Sequence, residues 1–180
     1  MKMTNKGKII IIEGIWSSGK TTLAKLLSKK LKAKFLREPN HITSGVKSKD
    51  IHYITSWYLK AHKANFDLAV ILASRGENII IERSTLYNIA FQRIVLGDKK
   101  TSKIFAQFMH DIRHAVRGLG LKIKFIYLIP GEIAEKASLM KKKKNIKRFA
   151  KQDLLVDIDN ELKNLLKKMH GSGLINLQSK

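Results

Sequence analysis

The chain contains no cysteine. Disulfides, thiolate metal sites and cysteine nucleophiles are therefore excluded. No apolar run approaches the roughly 18 residues that a membrane-spanning helix needs. Acidic residues are scarce: 14 Asp and Glu stand against 36 Lys and Arg, a net charge of +22 at pH 7. Such a charge attracts polyanions, nucleic acid first among them. Yet 29 of the basic residues are Lys and seven are Arg. Groups that read nucleic acid are usually arginines and interleaved aromatics. Outside one cluster the lysines are spread along the chain, so a solvated lysine-rich surface is read ahead of a nucleic-acid partner. Residues 1–8 carry charge, but no apolar signal-type region with a cleavage site follows. The expectation is a cytoplasmic protein with no membrane partner. Hydrophobic content of 44% over 180 residues suits one globular domain, 1–180, with a sizeable core. No repeat or interdomain linker interrupts it, and the sequence allows a homodimer.

What the chain does have is Gly14-Ile15-Trp16-Ser17-Ser18-Gly19-Lys20-Thr21-Thr22. It follows the apolar run Ile9 to Ile12 and opens a helical pattern. Strand, glycine-bounded loop and helix form the context in which G-x-x-x-x-G-K-[ST] means a phosphate-binding loop. Gly14 and Gly19 can adopt backbone angles closed to residues with a Cβ. The loop N–H groups of residues 14–22 can then turn inward on a polyphosphate such as ATP, and the helix dipole adds to their field. Lys20 can reach the β- and γ-phosphates, and Thr21 can ligate Mg²⁺.

The rest of the chain alternates strands and helices. Residues 8–13, 34–36, 78–82, 123–129 and 174–177 read as strands. Residues 20–32, 51–74, 86–96, 101–117, 132–139 and 150–169 read as helices. In the first helix Leu23, Leu26, Leu27 and Leu31 make one apolar stripe. The alternation implies an α/β fold with a parallel sheet of about five strands flanked by helices.

In such sheets ligands bind beyond the carboxyl ends of the strands. Those ends carry the phosphate loop, Arg37 and Glu38, and Glu82 and Arg83. Glu82 suits a carboxylate that holds Mg²⁺ beside Thr21. Arg83 can fork onto a phosphate. Glu38 is either a base for an acceptor hydroxyl or a tie for its own loop. Residues 141–148, mostly lysine and ending in Arg148, lie between two helices. They suit a basic lid at 140–150 that neutralises charge on transferring phosphates, with Arg148 its foremost contact. His110 and His114 are four apart on a helix, but no third metal ligand is evident.

These motifs resemble the thymidylate kinase and deoxynucleoside kinase group of P-loop kinases. The resemblance covers most of residues 8–178. Glu13 to Thr22 looks like the E-G-x-x-x-x-G-K-T-T opening of both families. Arg37-Glu38-Pro39 looks like the R-E-P of thymidylate kinases, and Glu38-Pro39 like the E-P of nucleoside kinases. Glu82-Arg83-Ser84 reads as the E-R-S of nucleoside kinases. It occupies the place of a thymidylate kinase segment whose Arg holds the acceptor phosphate. Ala90-Phe91-Gln92 looks like the thymidylate kinase A-Y-Q, and Arg148-Phe149 with Asp153-Leu154-Leu155 is similar to that family's segment after the lid. Two positions depart from the thymidylate kinase pattern. Trp16 replaces an Asp that touches the acceptor sugar, and Ala61 stands where an Arg reads the base. Trp57 falls where that family stacks a Phe on the base.

The resemblance implies a P-loop NTPase three-layer sandwich and an ATP- and Mg²⁺-dependent phosphotransferase with a small nucleotide or nucleoside as partner. Lys20, Glu82, Arg83 and Arg148 would be catalytic. Residues Arg37, Glu38, Trp57, Arg83 and Gln92 would hold the acceptor. Thymidylate is the first acceptor to consider, because Arg37 precedes Glu38 and the 90–92 and post-lid segments lean that way. On that reading Glu38→Gln is expected to lose less than about tenfold in turnover, below the range of base catalysis. A deoxynucleoside acceptor with Glu38 as base is the alternative. A nucleic-acid-associated P-loop ATPase is a third reading.

Overall fold

The computed structural model describes residues 6–98, 100–129, 131–133, 151–171 and 176–179. Its elements are β1 (Lys8–Glu13), α1 (Lys20–Lys30), β2 (Lys34–Leu36), α2 (Ile51–Ser74), β3 (Ile79–Glu82), α3 (Thr85–Leu96), α4 (Thr101–Arg113), a π-helical turn (His114–Gly118), β4 (Lys122–Tyr127), α5 (Gln152–Gly171) and β5 (Asn176–Ser179). The five strands are parallel, in the order β2-β3-β1-β4-β5. The helix expected at 132–139 and the lid at 140–150 fall almost entirely outside the described residues.

Strands β1 and β3 read as unbroken isoleucine runs because both of their faces are covered. Ile9 and Ile11 enter the larger core with Ile79 and Ile81, against α2, α3, α4 and α5. Ile12 and Ile80 point the other way and meet Ala24 of α1. The alternation follows from the two-residue period of a strand. Helices on both faces of one sheet make the three layers that the resemblance implied.

The register places the chemistry. Ile12 pairs with Glu82, and Glu13 pairs with Tyr127. The carboxyl ends of β1, β3 and β4 therefore lie side by side, and the phosphate loop leaves the sheet at its centre. Chain direction changes side there, since β1 is flanked by β3 and β4. That is the switch point where parallel sheets open a crevice.

Two local readings differ from expectation. The leucine stripe of α1 marks the buried face only in part: Leu26 is 62% and Leu31 40% exposed. Lys20 and Ala24 are the buried positions, with Leu23 and Leu27 half-covered. The small side chain of Ala24 lets α1 approach the sheet closely. The helix expected at 101–117 widens at its end, where Leu119 N–H donates to the His114 carbonyl five residues back, at 3.0 Å. Gly118 permits this, because a Cβ there would lie 3.0 Å from the His114 ring.

Because Ile11 is fully buried in the central strand, Ile11→Ala is expected to destabilise by about 2–5 kcal/mol. Urea unfolding measures this. Loss below about 1 kcal/mol would mean that the core at β1 is loosely packed.

Candidate active site

The phosphate loop has the backbone its sequence demands. Gly14 has φ +147° and Gly19 φ +90°. A Cβ on Gly14 would meet the Leu128 carbonyl at 3.0 Å. Lys20 starts α1 and turns back into the loop, donating to the Ile15 carbonyl at 2.6 Å with Ser18 Oγ at 3.4 Å. It is only 5% exposed. Burial, with Arg83 adding repulsion, pushes its pKa down to about 7, while Glu38, Glu13 and Glu82 pull against the shift.

Beside the loop, the Thr21 hydroxyl donates to Glu82 Oε1. The expected juxtaposition of Thr21 and Glu82 is therefore present. Two hard oxygen donors meeting at the phosphate loop suit Mg²⁺, which takes one or two protein ligands and completes its shell with phosphate and water. Among the described residues no cluster of three or more His, Asp or Glu forms an all-protein metal cage. Glu82 Oε2 also faces the Glu38 N–H at 3.5 Å, so it ties the end of β2 to the end of β3.

Arg83 is the centre of the arrangement. Its backbone is left-handed, φ 68°, and its N–H donates to the Ile12 carbonyl at 2.9 Å. That conformation is costly for a residue with a Cβ. It turns the side chain back under the loop, where it is 1% exposed. One terminal nitrogen donates to Glu38 Oε1 at 2.6 Å and the other to the Gly14 carbonyl at 3.2 Å. The guanidinium lies 3.7 Å from the centre of the Tyr87 ring, a cation–π contact. Burial works against its charge, but Glu38 above all, then Tyr87 and Glu13, raises its pKa above the ordinary arginine value.

Several residues enter the site that the sequence reading gave no role. Glu13 is fully buried and accepts from the backbone N–H of Ser84 at 2.7 Å and from its hydroxyl. Ser84 Oγ in turn caps α3 by accepting from Leu86 N–H at 3.2 Å. Glu13 thus fixes the turn that holds Arg83. Burial raises the Glu13 pKa, with the Ser84 hydroxyl and Arg83 opposing. Tyr58 hydrogen-bonds His41 Nδ1 at 2.9 Å and stacks on His62. Burial, helped by Arg83, lowers the His62 pKa to about 3, so its ring is neutral. Glu13 could have been suspected from its place before Gly14. Tyr58, His41 and His62 carried no signal beyond helix spacing.

The remaining sequence candidates divide. Trp16 projects from the loop edge-on to Tyr87 and Phe91, with ring centres 5.2 and 5.8 Å away. With Thr21, Arg37, Glu38, Tyr58 and Glu82 it lines a polar cavity of about 440 Å³. Arg37 is exposed on that cavity, and its carbonyl accepts from Asn65 at 3.0 Å. Trp57 stands edge-on to His41 and Tyr58 at the flank. Gln92 is buried on α3, and its amide nitrogen has no partner among the described residues. Arg148 lies outside the described residues.

No protein-family model matches the chain, and no curated protein matches it. Solved structures do. Deoxyadenosine kinase from M. mycoides, with the products dCMP and dCDP bound, superposes with TM-score 0.65 at 19% identity, covering 96% of this chain and 89% of that one. Thymidylate kinase from Candida albicans gives TM-score 0.53 at 19% identity, over 97% and 84%. YorR protein from Bacillus subtilis, in complex with phosphorylated GDP, gives 0.51 at 15%, over 96% and 85%. The fold is that of the P-loop kinases. The fold expectation drawn from the E-G…G-K-T-T, E-P and E-R-S motifs is met over nearly the whole chain. No helix among the described residues is long and apolar enough to cross a membrane.

Lys20→Ala tests the loop. The folded pKa of about 7 lies below the ordinary value of 10.5, so the fold disfavours the charged form. That penalty is full below pH 7 and fades as pH rises toward 10.5. The variant is therefore expected to melt no lower than wild type at pH 6, with its relative advantage shrinking by pH 9. Its affinity for MgATP should fall at least about tenfold, since it loses its nearest cation to the phosphates. Thermal melts with and without MgATP check both. Unchanged nucleotide stabilisation would remove Lys20 from the phosphate site.

Proposed function

We propose that this protein transfers the γ-phosphoryl group of ATP to the 5′-hydroxyl of a deoxynucleoside, with Glu38 as general base. The observation that carries this is the pairing of Glu38, which lines the polar cavity, with the buried Arg83 behind it at 2.6 Å. A neutral hydroxyl must lose a proton as it attacks, and a positioned carboxylate accepts it. A monophosphate acceptor attacks through an oxygen already ionised at pH 7 and needs no such base. It needs a free cation for its phosphate. Arg83, the residue the thymidylate reading assigns to that task, is already engaged by Glu38, the Gly14 carbonyl and Tyr87. The deoxynucleoside alternative therefore moves ahead of thymidylate.

In this mechanism the loop N–H groups and Lys20 hold the β- and γ-phosphates, and Thr21 and Glu82 would hold Mg²⁺. The metal neutralises phosphate oxygens when bound. Glu38 takes the 5′-hydroxyl proton while the hydroxyl oxygen bonds to the γ-phosphorus. The bond from that phosphorus to the β,γ-bridging oxygen breaks, leaving ADP and a nucleoside monophosphate. Arg83 orients Glu38 and, with Lys20, offsets the charge that develops. Trp16 and Trp57 offer aromatic surface to a base and sugar. Support also comes from the M. mycoides enzyme, a deoxyadenosine kinase by name and solved with dATP as well. The thymidylate reading keeps one specific support: exposed Arg37 on the cavity wall.

The expected result is turnover of MgATP with at least one of the four deoxynucleosides. Glu38→Gln should lose roughly 10²–10⁴-fold in turnover on that acceptor, with KM for ATP little changed. Steady-state kinetics decides. Loss of less than tenfold, together with turnover of thymidylate, would return the assignment to a monophosphate kinase.

A further inference from the structure

A parallel sheet has two unlike ends. The carboxyl end holds the site above, where Lys20, Arg37 and Arg83 face Glu13, Glu38 and Glu82. The opposite end gathers the strand starts and the ends of the helices that lead into them. Segments 6–8, 29–34, 75–78, 117–122 and 167–171 end there, and together they carry eleven Lys and Arg against one acid, Glu77. Hydrogen bonds tie the first four of these segments into one surface. Lys6 Nζ donates to the Leu119 carbonyl, and Gly7 N–H to the Ala73 carbonyl at 2.9 Å. Asn78 bonds both Lys8 N–H and Lys34 N–H. The acid is already neutralised, since Glu77 pairs with Lys34 at 2.7 Å. Lys8 and Lys122 are register partners on adjacent strands and both are exposed, a like-charge pairing that a bound anion relieves.

We propose that this end of the sheet is a binding surface for the phosphate backbone of duplex nucleic acid, separate from the kinase site. Basic residues at helix C-termini also answer the helix dipoles, but the helix ends gathered here amount to only about two negative charges in all. That leaves most of the positive charge unanswered. Five strands span about 20 Å, a length over which a duplex presents about a dozen phosphates. The five segments contain no Phe, Tyr or Trp. They therefore offer no stacking platform for single strands and no aromatic anchor for a membrane interface. Lysine outnumbers arginine nine to two in them, which suits sequence-independent phosphate contact rather than base reading. The lysines that looked scattered along the chain are brought together by strand order alone.

The test uses a labelled 20-base-pair DNA duplex, with binding read by anisotropy across a KCl series. Wild type is expected to bind with a slope of log K against log[KCl] of about −4 to −5, the release expected for about five phosphate contacts. Lys30→Glu/Lys122→Glu/Lys168→Glu should weaken binding at least about tenfold at 100 mM KCl and flatten the slope by about 2–3. The corresponding Gln triple, with half the charge change, should lose about half as much in log K. Lys25→Glu/Lys60→Glu/Lys103→Glu has the same net charge with the changes elsewhere on the surface, and it should stay within about threefold of wild type. Saturating MgATP should not displace the duplex. Equal losses in the two Glu triples, displacement by MgATP, or stronger binding to phosphatidylserine vesicles than to duplex would each overturn the proposal. None of these variants touches a residue of the kinase site, so loss of duplex binding with turnover intact separates this surface from the proposed catalysis.

Discussion

A permanently charged guanidinium buried to 1% exposure sets the terms for this site. Desolvating such a group is expensive unless every side of it is answered. Arg83 is answered at both terminal nitrogens, by Glu38 from the end of β2 and the Gly14 carbonyl after β1, and on its face by the Tyr87 ring of α3, while its Nε has no hydrogen-bond partner among the described residues. Three strand ends and a helix are therefore locked to one side chain. A second buried ionisable side chain, Glu13, stabilises the turn from the other side through Ser84. The left-handed backbone of Arg83 is the local cost of this arrangement. Removing any one partner would leave a buried charge unmet, and that is costlier than the pair is stabilising.

The same topology sorts charge along the sheet axis. Where strands end, acids and bases crowd together out of water: burial pushes Lys20 down and Glu13 up, while the opposite charges beside each pull it back. Where strands begin, bases stand almost alone. The proposed phosphoryl transfer needs the first environment, because charge must develop and be neutralised within a few ångströms. The second environment offers a steady field to a polyanion. Parallel strands keep the two apart by the length of a strand.

The fold was largely readable from sequence, for a physical reason. Strands covered on both faces appear as unbroken runs such as Ile9 to Ile12, and the glycine spacing after the first run admits few meanings. Helix faces were less readable. In α1 the leucine stripe marked the buried face only in part: Leu23 and Leu27 pack on the sheet, Ala24 is the buried centre, and Leu26 and Leu31 stay exposed. Of the site, Thr21 with Glu82 and the loop itself could be named in advance. The Glu38–Arg83 pair could not, since its members lie 45 residues apart and sequence does not give strand order. The Tyr58–His41–His62 cluster is hidden for the same reason, as is the basic end of the sheet. Arg148 and the basic lid remain a reading of sequence alone, since they lie outside the described residues.

The central claim is that the acceptor is a neutral hydroxyl served by Glu38. The most direct measurement incubates the protein with γ-³²P-labelled ATP, Mg²⁺ and a mixture of the four deoxynucleosides and their monophosphates, then separates the products. The account predicts label in a deoxynucleoside monophosphate. Label confined to a deoxynucleoside diphosphate would contradict it.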